Sequence, residues 1–310
     1  PGVRYRTTGN DIRDVTIDKT SYFIDDQFSL TSQLKLVAGA RHDKISTKFR
    51  YITQSGETQR NPSFSATSSR LGVVYEALPW LTLYAQYSNA TEPVNTLLLL
   101  SSANTAFDLT KAKQFEVGTK SSFLNGAAEL TTAVYQIDKR NVLTRDSANP
   151  NNTIAVGKQS SLGFELAAAY RPSLNWMFDG NIAIVKAKFD DFSERVGSVA
   201  VSRNGNRPTD VPAVLANLGV RHYFDAGFYL GGYARYVGKR YINAANTLEM
   251  PGYTTLDLTV GYKLDKKTDL SFWVRNATNK LYAQWSDGSA GPTVQLGDPR
   301  TVELVLRSTF

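Results

Sequence analysis

Thr301-Val302-Glu303-Leu304-Val305-Leu306-Arg307-Ser308-Thr309-Phe310 closes the chain. Val302, Leu304, Leu306 and Phe310 are apolar, and Glu303, Arg307 and Thr309 between them are polar; this period of two predicts a β-strand. The strand runs to the last residue and stops on an aromatic, with no polar tail over the sheet edge it presents. Such an edge is an aggregation hazard in water, so the expected setting is a closed barrel.

Working outward, the composition narrows the class. The chain has 310 residues, 42% of them hydrophobic and 11% aromatic, with a mean hydropathy of −0.29. No window approaches eighteen consecutive apolar residues, so no transmembrane helix is expected, and the longest pure run is only Leu97 to Leu100. A membrane barrel remains open, because its strands face lipid only with every second side chain. There is no cysteine, which excludes disulfides and thiolate chemistry. His42 and His222 are the two histidines, and neither lies in a recognisable nucleophile elbow or HExxH pattern, so each is read as structural. The net charge of +7 suits an anionic ligand or a lipopolysaccharide surface, but the cations are scattered and form no stripe for nucleic acid.

The alternation of the last strand returns along the chain. After an opening read as irregular from Pro1 to about Ile17, thirteen strands follow, with turns at Thr31-Ser32, Glu76-Ala77-Leu78-Pro79, Asn125-Gly126, Arg171-Pro172-Ser173, Asp225-Ala226-Gly227 and Asp265-Lys266-Lys267. These turns, of two to four residues, alternate with polar segments of about eight to twenty-three, among them 52–63 and 190–211. Short turns on one side and long loops on the other are the layout of an outer-membrane barrel, which puts the C-terminus on the periplasmic side. Leu256, Leu258, Val260, Tyr262 and Leu264 alternate with Thr255, Asp257, Thr259 and Lys263, so lipid is expected on the first set and the lumen on the second. Aromatics next to the short turns (Trp80, Phe123, Trp176, Phe224, Phe228, Phe310) and near the long loops (Tyr51, Tyr87, Tyr241, Tyr253, Tyr282, Trp285) fit two membrane interfaces.

Several motifs then occur in a telling order. Gln114-Phe115-Glu116-Val117-Gly118-Thr119-Lys120, Asp138 to Asp146, Val156 to Leu166, Gly205-Asn206-Arg207-Pro208-Thr209-Asp210-Val211-Pro212, Gly252-Tyr253, Val274-Arg275-Asn276-Ala277-Thr278-Asn279-Lys280-Leu281-Tyr282 and Pro299-Arg300-Thr301 together resemble the TonB-dependent outer-membrane siderophore receptor family. The final strand ending in Phe310 likewise resembles the assembly signal of bacterial outer-membrane barrels, read by the barrel assembly machinery.

That resemblance implies an all-β transmembrane antiparallel barrel, with this chain supplying about 13 C-terminal strands of a 22-stranded plugged barrel. Residues 1–310 would be its C-terminal portion, the N-terminal plug and first strands being absent; a complete barrel of twelve or fourteen strands is the alternative. The implied activity is energy-coupled uptake of a ferric siderophore, driven by the TonB complex of the inner membrane acting through the missing N-terminal part. No enzyme chemistry, protein metal ligand or cofactor is expected, since iron travels inside the siderophore, and no nucleic-acid partner is expected either. Aromatic faces and cations at the extracellular mouth would bind the chelate. Phe107, Arg203, Arg207, Tyr241 and Trp285 are the candidates, chosen because they lie in or beside long loops. A receptor for another scarce nutrient, a passive porin-like channel and an outer-membrane protease or lipase are the rival readings.

Overall fold

Among the described residues, fourteen strands follow one another in a single antiparallel meander. The computed structural model describes residues 3–6, 12–53, 56–92, 104, 107–145, 153–287 and 293–309. The strands are β1 (Val3–Arg6), β2 (Ile12–Ser29), β3 (Leu34–Thr53), β4 (Ser63–Leu78), β5 (Leu81–Thr91), β6 (Lys111–Phe123), β7 (Ala128–Arg145), β8 (Thr153–Tyr170), β9 (Trp176–Asp191), β10 (Val214–Tyr223), β11 (Phe228–Val237), β12 (Tyr253–Lys263), β13 (Thr268–Arg275) and β14 (Thr301–Ser308). Each pairs with the next in sequence, and no pairing among the described residues joins β1 or β2 to β14.

Turn chemistry at one end fixes the register. At Asn125-Gly126 the chain reverses with Leu124, Asn125 and Gly126 all at positive φ, which asparagine and glycine tolerate best. At the β12–β13 turn the Asp265 carboxylate accepts from the amides of Lys267 (2.6 Å) and Thr268 (2.8 Å). Turns at this end span two to five residues, such as 79–80 and 171–175, while from β3 onward the opposite end carries connections of seven to twenty-five, such as 146–152 and 276–300.

Two faces emerge from the register. Phe115, Leu162, Leu218, Val260 and Leu304 project from one face and are 41–72% exposed. The other face carries a bonded polar array in which Glu116 accepts from Tyr84 (2.8 Å), Gln86 (3.2 Å) and Gln114 (2.7 Å), while Arg275 reaches Asp257 and Glu303, each at 3.3 Å. Apolar outside and polar inside is the reverse of a water-soluble barrel and the pattern of one that sits in lipid. On β8 the apolar outer stretch runs from Leu162 to Tyr170, about 27 Å of strand at roughly 3.3 Å per residue, on the scale of the ~25 Å apolar band of such barrels.

Several expectations are corrected. The opening is not irregular: β2 begins at Ile12 and pairs with β1. Segment 52–63 is not all loop, since Gly56–Arg60 folds back onto Phe49–Thr53 of β3. Segment 190–211 contains a hairpin, Ser193–Val196 with Val199–Ser202, turned at Gly197. In these pieces the apolar alternation of the sequence fades, although Phe49 beneath 56–60 and Glu194 in the 193–202 hairpin are buried.

The aromatic band at the short turns is present. Trp80 meets Phe123 at 5.1 Å, Trp176 meets His222 at 4.4 Å, His222 meets Phe224 at 4.5 Å, and Phe228 meets Tyr262 at 4.5 Å. His222 is thus one ring in this girdle, and His42 bonds to Thr67 on the outer face. The upper band differs from expectation: Tyr87 faces out, but Tyr253 is buried and stacks on Tyr282 at 4.2 Å on the inner side. The odd strand positions that carry Tyr253 and Tyr51 point inward.

Candidate ligand-binding wall and its loops

The inner face of β10 to β13 carries a cavity of about 760 Å³ whose lining includes Arg221, Arg235, Arg240, Arg275, Tyr233, Tyr253, Trp273 and Tyr282. Tyrosines lie across the sheet where the opposite strand offers a glycine. A Cβ at Gly261 would collide with the ring of Tyr229, and one at Gly163 with that of Tyr135, so these glycines are the space the rings occupy.

Guanidinium groups over rings give the wall its chemistry. Arg275 sits 4.0 Å from the Trp273 centroid and Arg221 lies 5.2–6.0 Å from Tyr223, Tyr229 and Tyr233, also bonding to the hydroxyl of Tyr233. Arg221 and Arg240 each keep an Nε that is buried with no partner among the described residues. Cations held over aromatic faces present positive charge together with flat apolar area, which suits an anionic, partly aromatic ligand.

Above the cavity, three long connections are bonded into one assembly. Arg240, 5% exposed, donates from Nη1 to the carbonyl of Gln284 and from Nη2 to that of Ala283, both at 2.6 Å. The Asp210 carboxylate accepts from the amide and hydroxyl of Ser286 (3.1 and 2.6 Å). Asn246, at φ 58°, exchanges side-chain bonds with the backbone of Arg207, both at 2.8 Å. Asn276 is buried at φ 46°, its amide donating to Asp257 and its side chain bonding to the backbone of Lys280 and Asp298. The Asn276 to Tyr282 motif therefore pins a loop.

The residues picked from the sequence fall into this picture unequally. Arg207, Tyr241 and Trp285 come together: Arg207 bonds to Asn246 and to the Val185 carbonyl, and the Tyr241 carbonyl accepts from Asp210, which holds Ser286 beside the 47% exposed Trp285. Arg203 is paired at 2.6 Å with buried Glu194 inside the 193–202 hairpin. Phe107 packs against Ile45, Leu109 and Leu143, away from the three interlocked loops. Phe310 and Leu97 to Leu100 lie outside the described residues. Sequence reasoning missed Arg221, Tyr233, Arg235 and Trp273, whose signal was inward parity on strands flanking the longest loops, and Arg240, which lies beyond the end of β11 and carried no such signal.

The family model described as TonB dependent receptor-like, beta-barrel, matches residues 1–277. The chain belongs to the TonB-dependent receptor family. Among curated relatives, the metal-pseudopaline receptor CntO of Pseudomonas aeruginosa is 28% identical over 309 residues, covering 95% of this chain and 41% of the relative. The probable TonB-dependent siderophore receptor PiuA of Acinetobacter baumannii is 26% identical over 283 residues, covering 87% and 38%. The crystal structure of PiuA superposes with a TM-score of 0.82 at 22% identity over 96% of this chain and 44% of that one. The ferric-catecholate import receptor Fiu of E. coli K12, closed form, gives 0.76 at 21% identity over 98% and 46%. The chain thus spans about two fifths of the length of these TonB-dependent receptors, whose barrels lie in the outer membrane.

Proposed function

We propose that this chain is the C-terminal part of a plugged outer-membrane barrel that takes up ferric siderophores with energy from the TonB complex. The N-terminal plug and remaining strands belong to the rest of the protein, and the TonB complex acts through them. The long loops face outward from the cell and the C-terminus is periplasmic, with Phe310 as the assembly signal read by the barrel assembly machinery. The observation that carries this reading is the inner wall of Arg221, Arg235, Arg240 and Arg275 interleaved with Tyr233, Tyr253, Trp273 and Tyr282 beneath three interlocked loops. Tyr241 and Trp285 hold the upper contacts with the chelate, Arg207 fixes the loop beside them, and Phe107 and Arg203 act from the neighbouring loops. The wall binds and releases a chelate; it catalyses no covalent step, and iron stays within the siderophore.

Iron-limited growth on single hydroxamate, catecholate and carboxylate siderophores tests this, in a strain whose sole receptor is the complete protein. Growth on one class that vanishes when TonB is deleted is expected. Growth on none, or growth indifferent to TonB together with steady ion conductance in planar bilayers, would favour a passive channel. The likeness to CntO favours one second reading, a chelate carrying a metal other than iron, which uptake of radioactive zinc or nickel with its chelator would reveal.

A further inference from the structure

The inner face changes its charge along the sheet. On β10 to β13 the inward strand positions carry Arg221, Arg235, Lys263 and Arg275 against Asp257 and Asp269. On β5 to β8 they carry Glu116, Glu129 and Glu165 against Lys120 and Lys139, and Lys139 is paired with Glu92 at 2.7 Å. An anion moving past this face is drawn to the first stretch and turned away from the second.

The cations of β10 to β13 descend in rungs. Arg235 is on β11, Arg275 bonds to Asp257 opposite Tyr233, Arg221 lies opposite Gly231, and the amide of Lys263 donates to the Gly227 carbonyl. Residues 235 to 227 span about 27 Å at roughly 3.4 Å per residue, so the rungs reach from the upper cavity to the short turns. The three lower cations each sit by a ring: Arg275 is 4.0 Å from the Trp273 centroid, Arg221 5.2 Å from that of Tyr229, and Lys263 4.9 Å from that of Tyr223. Tyr233 stacks on Trp273 at 5.6 Å and Tyr223 meets Tyr229 at 5.7 Å, so ring and cation alternate down the wall.

At the foot of this ladder is a second cavity, of about 650 Å³, whose lining includes Arg171, Met177, Tyr223, Asp225 and Lys263. Arg221 lines the upper cavity and donates to the hydroxyl of Tyr223 (3.1 Å), so one hydrogen-bonded pair joins the two cavities. Arg171 and Lys263 are exposed, and neither makes an ion pair within 4.0 Å among the described residues. Asp269, opposite Lys263, has its carboxylate engaged by the hydroxyl of Tyr229 at 3.0 Å.

We infer that the cargo leaves the upper cavity along the β10 to β13 wall and halts at a second, exit site formed by Lys263, Arg171 and Tyr223. This site takes the same class of ligand as the upper cavity, an anionic chelate with flat apolar groups. Each rung offers again the charge and the ring face that the rung above gives up, so the anion is not stranded between cations. The inference rests on the uptake reading of the chain, and adds to it the side of the lumen that the cargo passes and the place where it stops.

The test uses the complete protein as sole receptor in an iron-limited strain, with three iron-55 complexes. Those of a tris-catecholate and of citrate are anionic, and that of desferrioxamine B is cationic. Lys263→Gln should lower the maximal rate of TonB-dependent uptake of a transported anionic complex at least about threefold, and Lys263→Glu further, on the scale by which local charge steers ions. Equilibrium binding of the same complex to cells lacking TonB should stay native, which separates the exit site from the upper cavity. Lys263→Arg should keep the native rate, and Lys120→Gln, which removes a cation near the short turns on the other stretch, should keep it too. Equal losses in Lys120→Gln and Lys263→Gln, a native rate in Lys263→Gln, loss of binding together with rate, or native transport of the desferrioxamine B complex alone would each overturn the exit site. Native transport of none of the three, or transport that survives deletion of TonB, overturns the uptake reading itself, and that failure shows before any variant is compared.

Discussion

The sectors from β7 to β9 and from β10 to β14 share one lipid belt but build what stands above it in different ways. In the first, strands of 16 to 18 residues run on past the belt as hairpins, well beyond the 9–11 residues a tilted strand needs to cross. In the second, strands of 8 to 11 residues end near the belt, and long connections above them are held by side chains such as Arg240, Asp210, Asn246 and Asn276. A ladder of backbone bonds needs no particular side chain, whereas a stapled loop depends on a few. The tall sector thus gives rigid height, and the stapled sector gives a surface whose shape individual residues decide.

The sharpest way to break this comparison is where the two sectors are alike. Leu258→Lys on the outer face of β12 and Leu162→Lys on that of β8 should each lower barrel stability, by about 2–4 kcal/mol for a cation near the midplane and by less towards the belt edge. Leu162 borders Lys186 and Gln136, so its loss should be the smaller, measured by denaturant-induced folding into bilayers. Next comes the stapled sector. Arg240→Ala removes two charge-assisted bonds to the 283–287 segment, each of the kind worth about 1.5–3 kcal/mol, and should speed hydrogen exchange there and weaken chelate binding while β7 to β9 stay protected. Equal loss of protection in both sectors would refute the division.

Two smaller effects probe backbone-paired hairpins, one within the tall sector and one at β3 outside it. Gly163→Val drives a side chain into the ring of Tyr135 and should cost about 1–3 kcal/mol in the same folding assay, with Tyr135→Ala restoring part of it. Glu57 caps the tall β3 hairpin, and its bidentate bond from Arg50 (2.8 and 3.1 Å), helped by Gln59, lowers its carboxyl to about 2. A carboxyl whose folded pKa is depressed contributes stability above its ordinary value near 4.5 and loses it as pH falls towards 2. Exchange at 56–60 should therefore accelerate between about pH 4.5 and 2 in the native protein, and Glu57→Gln, small at pH 7 because the pair is exposed, should flatten that dependence.

Much of the belt was legible in the sequence, because lipid and lumen impose period two and the register of a meander follows from its turns. Leu256, Leu258 and Val260 against Thr255, Asp257 and Thr259 needed nothing more. The stapled loops were not legible, since their bonds join segments far apart in sequence: Asp210 meets Ser286 across 76 positions and Arg240 meets Gln284 across 44. Arg203 looked free in a loop, yet Glu194, nine residues earlier, holds it through a hairpin that carries no apolar alternation. Ile12 to Ile17 were misread for a similar reason, because the apolar residues Ile12, Val15 and Ile17 do not keep the period of two that marks a strand.

The central claim is that hydrocarbon touches one face of these strands and water the other. These 310 residues contain no cysteine, so, with any cysteine elsewhere in the complete protein replaced, single spin labels can be placed at every position from 256 to 262 and from 158 to 166 in bilayers. Oxygen accessibility should peak at 256, 258, 260 and 262 and at 162, 164 and 166, with a water-soluble relaxant favouring the alternate positions and the outer positions 160 and 158 above the belt. The opposite phase, or uniform exposure to the water-soluble relaxant, would contradict the account.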